Sequence, residues 1–366
     1  MAPRPDSQPK YPPRESKGGW RYLLGDNEIR AVAGLDGARL DALLQRQDHL
    51  YPDESSAIVI IRHGFLVREH YTYNVLIPTR FDIWSGTKSF TGAAWGLVLG
   101  DSRQGRLPSG RRLDLDSPAY EFIPEGYPLT DPRKERILVR HLLTMTSGIA
   151  GQSQGQQGMP TASDREPFEY ALGRSPNRYG KWADQLVCEP GTVWGYSDPG
   201  FAHLALIFAH VTGKEMADVL HERVLGPIGI ENLSWDVQGG SGFMGPHTNA
   251  HTGIHVSARE LARFGYLMLH RGEWAGRQLL PAWWLEMATR SSQAINPRYG
   301  YTWWVNTTGV QWPDLPRDAY GLVGYRSNCC YIIPSLDLVL ARVGSGPGKW
   351  DERELIEGFA AAVVDD

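Results

Sequence analysis

Cysteine is scarce in this chain, and the three that occur, Cys188, Cys329 and Cys330, are odd in number with two of them adjacent. Such an arrangement excludes a disulfide framework as the basis of stability and points to a reducing compartment, with the cytoplasm as the expected location. Long apolar runs are lacking too: no stretch of about 18 apolar residues occurs, so no membrane-spanning helix is expected. Nor is there an excess of positive charge. Lys and Arg number 37 against 41 Asp and Glu, a formal net charge of -4, which removes the electrostatic pull toward nucleic acid or anionic lipid. The opening segment MAPRPDSQPKYPPRESKGG has no apolar core of the kind a signal peptide needs, and its Pro, Ser and charge make residues 1–19 read as a disordered tail. A small neutral or weakly polar substrate fits this composition better, and neither a nucleic acid nor a membrane is expected as partner.

The 366 residues suffice for one compact body or two closely joined lobes. In residues 35–49, Leu35, Leu40, Leu43 and Leu44 recur at helical spacing. Two β-rich runs around His63 and Gly64 predict a hairpin over 57–73. The stretch SGTKSFTGAAWGLVLG is apolar on nearly every face, which places its helix in an interior. From about 111 to 284 the signals are mostly helical, as in VRHLLTMT, FAHLALIFAHV and ARELARFGYLMLH; the last third returns to strands in YGYTWWVN, NCCYIIP and LDLVLARVG, followed by a helix. Strands at both ends predict one sheet built from the two termini, an α/β (α+β) lobe of about 20–110 and 285–366, with a helical lobe of about 111–284 inserted.

Ser85, Gly86, Thr87 and Lys88 form an SxxK tetrad at the start of the buried helix. Alone the pattern is weak, and its plain reading is an N-cap serine followed by a solvated lysine. Yet a lysine in a first turn opposes the helix dipole, and this helix offers little polar surface to carry it into water. Residues at i and i+3 share a helix face, so Lys88 can reach the Ser85 hydroxyl. Burial is then expected to pull Lys88 far enough below the ordinary lysine value of about 10.4 to accept a proton near neutral pH. That pairs a nucleophile with its base. Further on, Tyr196, Ser197 and Asp198 precede an apolar helix; Tyr196 is a candidate proton carrier, and Asp198 with Pro199 suits an N-cap and first-turn pair.

The order SGTK at 85–88, RHLLTMTSGI at 140–149, PGTVWGYSD at 190–198 and TGIHVSARELARFGYLML at 252–269, closed by a strand pair, resembles the class C β-lactamase superfamily. That superfamily also holds DD-peptidases, family VIII carboxylesterases and 6-aminohexanoate-dimer hydrolases. The resemblance spans about residues 35–364. It implies a β-lactamase/transpeptidase-like fold, an antiparallel sheet flanked by helices with a helical domain beside it, and a serine acyl-enzyme mechanism. Ser85 would attack, with Lys88 and Tyr196 sharing the work of base and acid. The backbone N–H groups of Ser85 and Tyr325 would form the oxyanion hole, with Gly324 as the matched strand glycine. His251 or His255 would line the pocket.

Two departures narrow the expected substrate. Where penicillin-recognising relatives carry Lys-Thr-Gly, this chain has Leu322, Val323 and Gly324, without the cation that holds a substrate carboxylate. Arg326 nearby could restore a positive charge, or be a plain surface residue. Asp198 stands where Asn is common, and a carboxylate beside Lys88 would favour its ammonium form; either Asp198 turns away to cap its helix or Tyr196 is the main base. The expectation is hydrolysis of a small carboxylic ester, the alternatives being an amide, acyl transfer by the same residues, or a binding and sensing module that does not turn over; efficient β-lactamase action is disfavoured. Trp84, Trp194, Trp303, Trp304 and Trp312 could line an aromatic cleft or fill the core. Two other motifs are set aside. The GxSxG around Ser153 lacks the strand and helix of a nucleophile elbow, and His247, His251 and His255, spaced by four, lie in a segment unsuited to a helix, so neither metal nor cofactor is expected.

Overall fold

The hairpin around His63 and Gly64 starts the central sheet. Strands β2 (Ser56–Arg62) and β3 (Phe65–Tyr71) pair antiparallel, and the turn residues both take positive φ, 52° at His63 and 76° at Gly64. A two-residue turn of this hand matches the right-handed twist of its strands. The computed structural model describes residues 11–50, 54–72, 74–151, 167–177, 180–239, 245–345 and 352–364.

Beyond the hairpin the sheet recruits the C-terminal third. Its seven strands run β1 (Arg21–Tyr22), β3, β2, β14 (Leu338–Gly344), β13 (Asn328–Ile333), β12 (Tyr320–Gly324) and β11 (Trp304–Val305). The two termini meet where β2 pairs β14, in register from Arg62 opposite Leu338 to Ser56 opposite Gly344. The edge differs from the expected all-antiparallel sheet, because β1 pairs β3 in parallel. The YGYTWWVN run yields only the two residues of β11: Thr302 takes φ 69°, which breaks the extended path.

Residue alternation in the strands divides the core into two layers. Ile58 and Ile60 of β2 face α1 (Asp26–Ala33), α2 (Gly37–Leu50) and α10 (Glu352–Ala361), packing with Ile29, Leu40 and Phe359. Ala57, Val59 and Ile61 face the other way, into a larger core with α3 (Thr87–Arg103) and α8 (Ala258–Leu269). Around α3 lie α4 (Val139–Leu143), α5 (Pro167–Ala171), α6 (Asp198–Thr212), α7 (Met216–Leu220) and α9 (Ala282–Ala288). Short strands complete the body: β4 (Phe81–Asp82), β8 (Ile254–Val256) and β5 (Ser234–Trp235) in one sheet, and the ribbons β6 (Val237–Gln238) with β7 (His247–Thr248) and β9 (Glu273–Trp274) with β10 (Arg277–Gln278). No helix among the described residues is long and apolar enough to cross a membrane.

Residues 11–19, expected to be disordered, are held against this body. Arg263 on α8 is fully buried, and its guanidinium donates to the Pro12 carbonyl at 3.2 Å and to Glu15 at 2.7 Å. Tyr11 donates to Glu273 at 2.7 Å. A buried cation needs acceptors, and this segment supplies them. Residues 1–10 lie outside the described residues.

Helix α3 is buried on all sides, from Thr87 through Gly100. Small residues make that burial possible. A Cβ on Gly96 would sit 2.2 Å from Trp284 Cδ1, and the indole N–H of Trp284 donates to the Gly92 carbonyl at 2.8 Å. Gly96→Ala is therefore expected to overpack the α3–α9 contact and cost about 1–3 kcal/mol, read as a lowered urea midpoint; an unchanged midpoint would mean that Trp284 yields without cost.

Candidate active site

The chain enters the site from β4, and Trp84 makes the turn into the helix with a left-handed φ of 50°. Its N–H donates to the Asp82 carboxylate at 2.8 Å, which holds that unusual conformation. Ser85 then lies in a one-turn 3-10 helix, Trp84–Gly86, that runs into α3. It is not the N-cap of α3; Gly86 is, without a side-chain cap. Ser85 remains half-buried.

One turn on, Lys88 is 2% exposed. Its Nζ donates to Ser85 Oγ at 3.0 Å and to the His251 carbonyl at 3.1 Å, and meets Asp198 Oδ1 at 2.7 Å. Tyr196 adds a side-chain hydrogen bond, and Nζ stands 4.8 Å from the centroid of its ring and 5.4 Å from that of Phe201. Burial pushes the lysine toward the neutral amine, but the Asp198 carboxylate and then Tyr196 together outweigh it, and Lys88 ends above its ordinary value. The expected depression of Lys88 is thus reversed. The cause is a local choice at the start of α6. Ser197 takes the N-cap, its Oγ accepting from Gly200 N–H at 3.2 Å, so Asp198 becomes the first helical residue and turns its carboxylate to Lys88 rather than capping.

Strand β12 closes the other side. Its ladder with β13 ends at Gly324 opposite Asn328, which puts Tyr325 just past the last pair. Gly324 presses on the turn that carries Ser85 so closely that a Cβ there would lie 1.9 Å from the Ile83 carbonyl oxygen and 3.0 Å from Gly86 N. Beyond it the backbone turns through Arg326 (φ 60°) and Ser327 (φ 57°), two successive left-handed residues with side chains, a conformation costing about 1–2 kcal/mol for each. Two buried groups hold it. Arg342, fully buried on β14, donates to the Arg326 and Ser327 carbonyls at 3.0 Å each and pairs with Glu54 at 2.9 Å. Asn328 donates to the Tyr325 carbonyl at 2.8 Å. Sequence reasoning passed over both, although an arginine inside the apolar strand LVLARVG was a visible signal.

Aromatic rings flank the cluster. Trp194 packs on Tyr196, Tyr299 and Trp304 with centroids 6.3, 5.8 and 6.2 Å away. Tyr299, not anticipated, is fully enclosed, and burial first, then Tyr196 and Asp198, raises its hydroxyl well above the ordinary range. Half-exposed Trp84 meets exposed Tyr325 edge to face at 5.5 Å, and Arg326 is exposed beside it. Trp303 and Trp312 are core, Trp303 stacked near Phe264 and Trp312 edge to face with Tyr331.

The histidines separate. His251 brings its main-chain oxygen to Lys88, while its own residue is buried. His255, expected in the pocket, pairs with Asp236 at 3.4 Å in a notch shared with Arg80 and Ser234. His247 pairs with Glu215 at 2.9 Å. The segment forms β7 and β8 rather than a helix, so the three rings share no centre, and among the described residues no other group of His, Cys, Asp and Glu is placed to hold a metal. Ser153 lies outside the described residues.

The fold has counterparts among known proteins. A 6-aminohexanoate-dimer hydrolase from Paenarthrobacter ureafaciens is 24% identical over 335 residues, spanning 84% of this chain and 78% of that one. Among solved structures, a candidate 6-aminohexanoate-dimer hydrolase from Bacillus anthracis aligns with a TM-score of 0.69 at 21% identity, covering 96% of this chain and 88% of that one. EstCE1, described as a hydrolase with promiscuous acyltransferase activity, aligns with a TM-score of 0.65 at 14% identity, covering 90% and 99%. Identities this low speak for the fold alone. The sequence profile of the Beta-lactamase family matches residues 52–363, so the chain belongs to the Beta-lactamase family, with its mixed sheet, flanking helices and hydrolase fold.

Proposed function

We propose that this chain is a serine hydrolase that cleaves a small carboxylic ester through an acyl-Ser85 intermediate. The observation that carries the reading is the contact of Lys88 Nζ with Ser85 Oγ at 3.0 Å inside a shielded cluster, with the end of β12 against the same turn. Ser85 Oγ attacks the ester carbonyl, and its proton passes into the group formed by Lys88 and Tyr196. The carbonyl oxygen gains charge and accepts from the N–H groups of Ser85 and Tyr325. Each such donor is worth about 3–4 kcal/mol in the transition state. Collapse expels the alcohol, which leaves protonated from the same group, and water then releases the acyl chain by the reverse route.

The substrate class follows from what surrounds Ser85. Leu322, at the position of the missing cation, is buried, with a methyl group beside Gly86; the substrate carboxylate of a penicillin has no partner there. Trp84 and Tyr325 offer an exposed aromatic edge suited to an apolar acyl or alcohol group. A linear amide is the second reading, favoured by the relative named as a 6-aminohexanoate-dimer hydrolase. Transfer to an alcohol instead of water follows from the same acyl-enzyme.

A fluorophosphonate probe is expected to label the wild type and not Ser85→Ala; equal labelling of both would remove Ser85 from the reaction. Labelling without turnover of ester and p-nitroanilide panels would point to a sensor. Turnover of p-nitrophenyl esters is expected to exceed that of nitrocefin, and Lys88→Ala to lose about 10²–10⁴ in rate. Gly324→Ala, which forces β12 off the nucleophile turn, is expected to lower kcat by about 10²–10³ while circular dichroism stays that of the wild type. A wild-type kcat in Gly324→Ala would separate the strand from catalysis.

A further inference from the structure

We propose that the Asp198 carboxylate is the proton store of acylation, receiving through Lys88 the proton that Ser85 gives up. This rests on the reading of Ser85 as nucleophile and assigns the step that reading leaves open. An ammonium has no lone pair, so Lys88 in its resting form cannot take the serine proton. Around its Nζ stand Ser85 Oγ, which is the donor, the His251 main-chain carbonyl, the Tyr196 phenol and the Asp198 carboxylate. The carbonyl is a feeble base and a phenol is a donor as well as an acceptor, whereas a carboxylate is an acceptor only. The carboxylate can accept one and become neutral.

Burial lowers the cost of that transfer. The Lys88 side chain is 2% exposed and that of Asp198 13%. Two charges so shielded are each opposed by lost hydration, and moving one proton across the 2.7 Å contact turns both groups neutral. Lys88 gives up that proton as it takes the one from Ser85 Oγ, 3.0 Å away, so the two protons move in one step. The step balances. As Oγ bonds to the carbonyl carbon, the carbonyl π pair moves to oxygen, Ser85 gives its proton to Lys88, and the proton Lys88 shed sits on Asp198. The cluster with substrate is neutral before, and after it holds ammonium, carboxylic acid and oxyanion, again neutral. When the tetrahedral state collapses, Lys88 protonates the leaving alkoxide and is reloaded from Asp198, restoring the ion pair. Water repeats the cycle in deacylation.

The groups facing Asp198 from each packed element leave it this role. Lys88 comes from α3. Tyr196 precedes α6. Tyr299, across the cluster, is kept in its neutral form by burial and by Tyr196 and Asp198. From the segment between β7 and β8 comes His251, through its carbonyl on Lys88. His203, one turn along α6, is held by burial as a neutral ring at about 3, bonded to Tyr120 and Pro199. Ser197 supplies the cap that Asp198 would otherwise provide.

The test is the pH dependence of kcat/KM on a p-nitrophenyl ester. In the wild type, acid fills the store, so activity falls as pH drops and levels out toward neutrality. Asp198→Asn removes the store, and Lys88 must then lose its proton to solvent. Without the carboxylate, burial, the largest effect on Lys88, is left to favour the amine, so the variant's rate is expected to rise about tenfold per pH unit until Lys88 has lost its proton, a change of profile that a merely structural aspartate would not produce. A variant with the wild-type profile and a rate within about threefold would overturn the proposal. A second readout needs no variant: in mixtures of light and heavy water, wild-type acylation is expected to give a curved proton inventory, two protons being in flight, and a straight line would overturn it. Fluorophosphonate labelling of the wild type distinguishes the failures, since an unlabelled Ser85 refutes the hydrolase reading itself, whereas a labelled Ser85 with a straight inventory refutes only the role of Asp198.

Discussion

The buried contact between Lys88 and Asp198 governs the rest of the site. An ammonium removed from water is tolerated only with a charged partner and further hydrogen bonds, and taking one partner from such a pair costs about 3–5 kcal/mol. That requirement draws three distant parts of the chain to one point: α3 with Lys88, the start of α6 with Asp198, and the segment before β8 with the His251 carbonyl. Packing is arranged to allow it. The glycines of α3 let Thr302 and Trp284 approach the helix backbone, so the helix can be enclosed while its first turn still opens toward Ser85. The charge that makes the lysine difficult to bury is also what fixes where Ser85 points.

A second constraint acts from the sheet. β12 reaches the turn that carries Ser85 because Gly324 has no side chain, and the strained turn after it persists because Arg342 and Asn328 hold its carbonyls. Arg342 belongs to β14, the strand that joins the C-terminal third to β2. The pairing that closes the sheet therefore also holds the turn at Tyr325. Strain at such a turn survives only where the surroundings over-determine it, and here a buried guanidinium and a buried carboxamide do so.

Much of this was legible in the chain itself. The hairpin followed from two β-rich runs and a glycine, the enclosed helix from an apolar circumference, and the Ser85–Lys88 pair from helical spacing. The direction of Asp198 was not, because Ser197 and Asp198 are both good N-caps and only their competition for one helix start decides which is left for Lys88. The sign of the effect on Lys88 depended on that same choice, so burial alone misled. His255 was placed in the pocket by resemblance, but strand β8 sends it to Asp236 on the surface side. Arg342 was overlooked because a strand read for apolar alternation hides a polar residue whose partners, Glu54 and the turn at Arg326, lie far away in sequence. Residues 11–19 look like a tail until the buried Arg263 that needs their acceptors is known.

The account stands on Lys88 resting as an ammonium rather than as a ready-made base. Nitrogen NMR of the enzyme labelled at lysine side chains, with Lys88→Arg used to assign the signal, reads that directly. The account predicts that the Lys88 nitrogen keeps the shift of a charged ammonium across the neutral range and into mild alkali. A Lys88 signal that moves to the position of a neutral amine near neutral pH would contradict it.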